Sequence, residues 1–218
     1  MKRIELKELI EGGENIHCEF KRKFSTAEKI SKEMIAFANT TGGFILFGVD
    51  DNKEIIGVES EKSETELIAD AAQNFCEPPV DFNVEYIDMQ GKDVVVVEIP
   101  ESNKKPHRLQ DFLSEFDINK AVVTIRVKDK SIQASKEMVR ILKAQANDLQ
   151  LKKYSIGPAE KVVFDYLTKN ETISVKTLSN IVNISERRAS RTLVKLVRAN
   201  ILMIHIKDNG EEYFTGTL

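Results

Sequence analysis

Residues 35–52 read IAFANTTGGFILFGVDDN, and the order of signals in this stretch decides the fold class. An apolar helical face runs into Asn39-Thr40-Thr41-Gly42-Gly43, where glycine permits the left-handed backbone that ends a helix. Phe44 to Val49 is a short apolar run bounded by turn residues, which predicts a buried strand. Asp50-Asp51-Asn52 predicts a turn, and EIIGV (54–58) predicts the returning strand of a hairpin. Helix, glycine stop, buried strand and turn in this order belong to a mixed α+β domain.

Upstream, Ala27, Ile30, Met34, Ile35 and Ala38 recur at helical spacing, with Ser25 or Thr26 as the cap. Residues 4–11 predict a short helix stopped by Gly12-Gly13. Between these helices, Ile16 to Phe20 alternates as a half-buried strand does. His17, Glu19 and Lys21 then share one side, and Ile16, Cys18 and Phe20 the other. Downstream, a helix is expected over 63–77, broken by Pro78-Pro79. Strands over 80–88 and 93–100 meet around Gln90-Gly91. A basic loop (SNKKPHRL, 102–109), a strand over 121–127 and a helix over 135–148 complete a domain reaching to about residue 150.

Residues 151–158 (LKKYSIGP) read as a linker, and from about 155 to 218 the pattern changes. Helices are expected over 158–169, 175–183 and 185–200, then two strands around Asp208-Asn209-Gly210, the order of a winged helix-turn-helix. The third helix starts at a good cap, Ser185, and carries Arg187, Arg188 and Arg191 in its first turns, with Leu193, Leu196 and Val197 opposite. Arginine grips phosphates and pairs bidentately with guanine, so this helix suits a major groove. Lys195, Arg198 and Lys207 could add backbone contacts. Two other uses of such a helix stay open, a solvated surface and a protein-docking wing.

The whole chain has a net charge of −3, which argues against nonspecific coating of nucleic acid, but the charge is uneven. From Lys152 onward there are 11 Lys and Arg against 7 Asp and Glu, so the basic end is the C-terminal one. Hydrophobic content of 41% and charged content of 31% fit a globular protein. No apolar run approaches a membrane span, and the first residues lack the apolar core of a secretion signal, so a cytoplasmic protein with no membrane partner is expected. Cys18 and Cys76 stand far apart without the close thiolate or imidazole spacing of zinc sites, so buried thiols and no zinc are expected.

Glu14 and Glu19 flank the first strand, and Asp50 or Asp51 would arrive nearby if residues 44–49 pair beside it. Such an all-oxygen cluster suits Mg²⁺ or Mn²⁺, which activates water and polarises a phosphodiester. The plainer reading is solvated carboxylates and a turn aspartate.

The stretch Glu14-Asn-Ile-His-Cys-Glu19-Phe20-Lys21, then Ala36-Phe-Ala-Asn-Thr-Thr-Gly42-Gly43, then Gly48-Val-Asp50-Asp51 resembles the Schlafen/AlbA-type domain, with its E-x4-E-F-K, A-F-A-N-T-x-G-G and G-V-D-D elements in this order. The resemblance covers about residues 5–147 and includes Lys105-Pro106 and the strand Thr124-Ile-Arg126-Val. It implies two functions. Prokaryotic members with a C-terminal winged helix are described as transcriptional regulators, some as ATP-binding. No G-x4-G-K-[ST] phosphate loop occurs here, so nucleotide hydrolysis and ATP are set aside. Animal members include metal-dependent endoribonucleases acting on tRNA and rRNA through two glutamates and an aspartate. Those positions match Glu14, Glu19 and Asp51, with Asp50 as a substitute and Lys21 beside them in the candidate catalytic set. Asn15 replaces a typical serine, and a single lobe replaces two, so a nucleic-acid groove implies a homodimer. Lys104, Lys105, Arg108, Arg126 and Lys128 could track a phosphate backbone. The expectation is therefore a DNA-binding regulator, with an endoribonuclease acting on structured RNA as the alternative.

Overall fold

Asn39 to Gly43 turns as tightly as its composition requires in the computed structural model, which describes residues 1–113, 115–146 and 156–217. Gly42 sits at φ +70°, and a Cβ there would lie 2.6 Å from the Ile99 carbonyl oxygen. At Gly43 a Cβ would meet His17 O at 2.5 Å and the Phe37 ring at 2.6 Å. Side chains at either position would push the helix away from the strand.

Contacts divide the chain into Met1–Gln133 and Ala134–Leu218. In the first unit, α1 (Arg3–Gly12) leads to β1 (Cys18–Lys21), α2 (Ala27–Asn39) and β2 (Gly43–Phe47). Then come α3 (Glu61–Asn74), β3 (Cys76–Glu77), β4 (Asn83–Asp88), β5 (Asp93–Ile99), β6 (Arg108–Leu109) and the ribbon β7 (Thr124–Val127) with β8 (Lys130–Gln133). Four strands form a mixed sheet, β1-β2-β5-β4, with β1 parallel to β2 and the other pairs antiparallel.

The sheet is covered on both faces, which is why β5 reads as an unbroken valine run rather than an alternation. Ile45, Phe47, Val95 and Val97 pack with Ile30, Met34 and Phe37 of α2 and Ile68 of α3. Cys18, Phe20, Leu46, Val94 and Val96 pack with Leu6 and Ile10 of α1. Each fully buried aliphatic side chain contributes about 1.5–3 kcal/mol. Both cysteines are free and buried, and burial pushes each thiol up to about 12.

Three expectations change in detail. Residues 54–58 form no returning strand: one bridge joins Val49 to Ile55, and the Ile56 and Gly57 amides both donate to Gly48 O. The strand expected over 121–127 starts at Thr124 and pairs with β8, which the sequence reading leaves out. The first strand starts at Cys18, with Ile16 exposed and Glu19 buried, so its polar side is not a solvated one.

The second unit begins with α4 (Lys136–Ala146), so the division falls at Gln133/Ala134 rather than near residue 150. α4 joins this unit through hydrogen bonds: Arg140 Nη1 donates to Ser190 Oγ at 3.2 Å, and Ser135 just before it donates to Glu212. The end of the helix expected to 148, and linker residues 151–155, lie outside the described residues. Then follow α5 (Pro158–Leu167), α6 (Val175–Val182), α7 (Glu186–Arg198) and the antiparallel pair β9 (Leu202–Ile206) and β10 (Glu212–Gly216). Val163, Leu178, Leu193, Leu196, Leu202 and Phe214 form the core, and Ile173 bridges to Phe214 beside the hairpin. Among the described residues no helix is long and apolar enough to cross a membrane.

Candidate nucleic-acid interface and carboxylate cluster

The turn between α6 and α7 is three residues long and closed at both ends. Asn183 takes the left-handed conformation at φ 53°, Ser179 Oγ donates to Ile184 O at 2.6 Å, and Ser185 Oγ accepts from the Arg188 amide. α7 then buries Ala189, Leu193 and Leu196. At about 100° per residue, Arg187, Arg188, Arg191, Lys195 and Arg198 fall on one arc opposite that stripe. Arg187, Arg188 and Arg191 are exposed, and none of the three is in an ion pair among the described residues. Lys195 is half-buried and paired with Glu160 at 3.4 Å, and Lys207 pairs with Glu211 at 3.2 Å on the hairpin. Two helices joined by a three-residue turn, the second with an arginine-rich outer arc, can take a polyanion.

The basic residues of the first unit go elsewhere. Arg126 has a fully buried side chain. Its Nη1 donates to Glu19 Oε2 at 2.8 Å, Glu33 Oε2 at 3.2 Å and Ser131 Oγ at 3.1 Å, while Nη2 donates to Asn15 O at 2.7 Å. Its guanidinium lies 4.6 Å from the Phe37 ring centroid. Arg108 is buried too, paired with Asp111 and stacked on Phe116 at 5.6 Å. Lys105 is mostly buried, donating to Thr40 O at 3.0 Å and pairing with Glu101. These three cannot line a phosphate track, because their charges are spent inside the fold; Lys104 and Lys128 are on the surface.

Glu14, Glu19, Lys21 and Asp51 do gather. β1 and β2 are parallel with Lys21 beside Phe47, so the chain leaving β2 carries Asp50 and Asp51 to the end of β1. Glu14 Oε1 accepts from the Phe20 amide at 2.9 Å. Burial is the main cause that raises the Glu14 carboxyl above the ordinary range, with the charges of Glu19 and Asp51 adding to it against the Phe20 hydrogen bond and Lys21. Asn15 closes this turn: its side chain donates to Gly13 O and accepts from the His17 amide, both at 2.8 Å. Asp51 is exposed, whereas Asp50 pairs with Arg22 at 3.1 Å. Glu19 is held on one oxygen by Arg126 and on the other by Lys21.

A bound divalent ion needs several of these oxygens converging on one point. Among the described residues no group of three or more His, Cys, Asp and Glu side chains is placed to hold a metal. The oxygens of Glu19 face two cations instead, so the set as arranged does not fit a metal, and no cleavage step follows from it.

Glu33 is the member of this cluster that the sequence reading passes over. Burial, then the charge of Glu19, raises its carboxyl, while Ser131, Lys21 and Arg126 oppose the rise. Glu33 lies one turn before Phe37 at the edge of the buried face of α2, a place where a partly desolvated carboxylate needs a partner.

A family model described as Schlafen, AlbA_2 matches residues 14–135. A curated relative, an uncharacterized ATP-binding protein of Ureaplasma parvum serovar 3, is 30% identical over a 112-residue alignment that covers 43% of this chain and 32% of the relative. The chain thus spans about a third of that relative's length. Among solved structures, the DIP2311 protein of Corynebacterium diphtheriae matches with a TM-score of 0.51 at 13% identity, over 98% of this chain and 38% of that one. The N-terminal domain of an ATP-dependent DNA helicase RecG-related protein from Nitrosomonas europaea matches with a TM-score of 0.41 at 21% identity, over 50% of this chain and 81% of that one.

Proposed function

The chain belongs to the Schlafen, AlbA_2 family, and we propose from that premise that it is a nucleic-acid-binding protein, a DNA-binding transcriptional regulator that works as a homodimer. In this reading the second unit is a winged helix-turn-helix, α7 is the helix that enters the major groove, and the β9–β10 hairpin is the wing. One observation carries the reading: Arg187, Arg188 and Arg191 stand exposed on the arc of α7 opposite its buried stripe. Arginines held this way can reach phosphates and guanine edges without first breaking an internal pair. Lys207 on the hairpin would add a backbone contact next to the groove. The Schlafen/AlbA-type unit would supply dimerisation or sensing.

The rival reading is a divalent-metal-dependent endoribonuclease using Glu14, Glu19, Lys21 and Asp51. It draws on the gathering of these side chains, and it is weakened by the two cations on Glu19.

Fluorescence anisotropy with labelled duplex DNA tests the proposal, run beside incubation with tRNA and Mn²⁺. Wild type should bind the duplex, and Arg187→Ala with Arg191→Ala should weaken it by about 10–100-fold. Glu19→Gln, in its folded fraction, should bind as wild type does. Intact tRNA completes the expected result. Cleavage removed by Glu19→Gln and by a chelator would overturn the regulator reading in favour of the nuclease. Absence of duplex binding even at low salt would leave the second unit as a protein-docking module.

A further inference from the structure

The carboxylates of the Schlafen/AlbA-type unit already have a cation among them. Glu19 Oε2 receives Arg126 Nη1 at 2.8 Å, and its other oxygen receives Lys21 Nζ. Glu33 Oε2 shares the same Arg126 nitrogen at 3.2 Å and also takes the Ser131 hydroxyl. Glu19 and Glu33 thus face two cations, one for each carboxylate, with Glu14 and Asp51 close by. A divalent ion on the oxygens of Glu19 and Glu33 would lie beside both cations in a partly desolvated place. Like charges a few ångströms apart repel by several kcal/mol there, so entry requires Arg126 or Lys21 to leave.

Lys21 has a partly exposed side chain and could swing out. Arg126 could not. Its guanidinium is anchored a second time by Asn15 O at 2.7 Å, lies on the Phe37 ring, and its backbone amide is fixed by Thr40 Oγ1 at 3.0 Å. The planar fork satisfies acceptors from four separate places: β1, α2, the turn before β1 and β8. No hydrated divalent ion could make the same set of bonds to a carbonyl, a hydroxyl and two carboxylates while lying flat on a ring.

We infer that Arg126 is the resident cation of this cluster, doing among the carboxylates what a divalent metal would otherwise do. Glu19, Glu33 and Arg126 together are a clasp that fastens the β7–β8 ribbon to β1 and α2. The corollary is positive and specific. Replacing the guanidinium by an apolar chain of similar length leaves Glu19, Glu33 and the nearby Glu14 with an excess of negative charge, and that site should accept a divalent ion.

The inference is independent of DNA binding by α7, so the two readings fail separately. Mn²⁺ binding is followed by electron paramagnetic resonance and isothermal titration on full-length wild type, Glu19→Gln, Arg126→Lys and Arg126→Met, with thermal melts in Mn²⁺ and in chelator. Wild type should show no saturable Mn²⁺ that Glu19→Gln removes, and a Tm unchanged by the ion. Arg126→Lys keeps the charge and loses the fork, so it should melt lower and still exclude Mn²⁺. Arg126→Met should melt lower again, bind Mn²⁺ at least about tenfold more tightly than wild type, and recover part of its Tm in the metal. One Mn²⁺ per wild-type chain, lost in Glu19→Gln, would overturn the inference, and so would a folded Arg126→Met with no gain in Mn²⁺ affinity. If Arg126→Met does not fold, wild type against Glu19→Gln and Arg126→Lys still decides it.

Discussion

In the Met1–Gln133 unit, Arg108, Arg126 and Lys105 turn inward onto carboxylates, carbonyls and aromatic rings. In the Ala134–Leu218 unit, Arg187, Arg188 and Arg191 stand in water along one arc of a helix. Both sets are basic. What differs is the supply of acceptors. β7 lies against α2, which brings Glu33, and across from β1, which brings Glu19, so burying Arg126 is offset by four hydrogen bonds and a ring. No carboxylate is offered to the outer arc of α7 at Arg187, Arg188 or Arg191 among the described residues, and desolvating these side chains would gain nothing. A basic residue stays available to a ligand when its own fold leaves it unanswered.

The largest effect that would sharpen this contrast is on stability. Arg126→Met leaves Glu19 and Glu33 without their main counter-charge, and should cost about 3–5 kcal/mol in chemical denaturation, while duplex affinity of the folded fraction stays at the wild-type value. Equal losses of stability and of DNA binding would erase the distinction between inward and outward cations.

A smaller effect concerns Glu212 in the second unit. Burial lifts its carboxyl from an ordinary 4.5 to about 7, with Glu137 adding to the rise and the Ser135 hydroxyl opposing it. The folded form therefore holds this proton longer than the unfolded chain does. Its contribution is most favourable below the unfolded value of 4.5 and is lost as pH rises through about 7. Up to about 3 kcal/mol is at stake, less what solvent screening removes. Glu212→Gln should raise the melting temperature at pH 8 and flatten the profile between pH 5 and 8; an unchanged profile would show that the carboxylate is solvated.

Smaller still is the cap of α7. Ser185→Ala removes the hydroxyl that receives the Arg188 amide, at a cost of about 0.5–1 kcal/mol by thermal melt. Because the same cap fixes the first turn that carries the arginines, duplex affinity should fall with it by a few-fold at most. A loss as large as that of the arginine pair would mean that α7 is marginally folded.

The elements of both units are legible in the sequence because local signals set them. The glycine pair after Asn39, the apolar spacing of α2 and the serine before α7 each act within a few residues. The gathering of Glu14, Glu19 and Asp51 is legible too, since the parallel pairing of β1 and β2 brings the turn after β2 to the strand end. What the sequence hides is long-range. Arg126 lies 107 positions from Glu19, and β8 joins β7 only because Lys128 at φ 55° turns the chain. Alternation gives Glu19 a face but does not say whether that face meets water or a guanidinium. Arg108 and Lys105 mislead for the same reason: a basic loop looks solvated until Asp111, Glu101 and the Thr40 carbonyl come round to meet it.

The salt dependence of duplex binding separates the two units. Each phosphate neutralised by arginine or lysine adds about 0.9 to the slope of log affinity against log salt. Anisotropy titrations across a range of salt, on wild type, on Arg187→Ala with Arg191→Ala, and on Lys104→Ala with Lys128→Ala, read that slope for each unit. The slope should be lower by about two for the α7 pair and unchanged for the other. A slope that falls with Lys104 and Lys128 and not with Arg187 and Arg191 would contradict this, and would move the nucleic-acid surface to the Schlafen/AlbA-type unit.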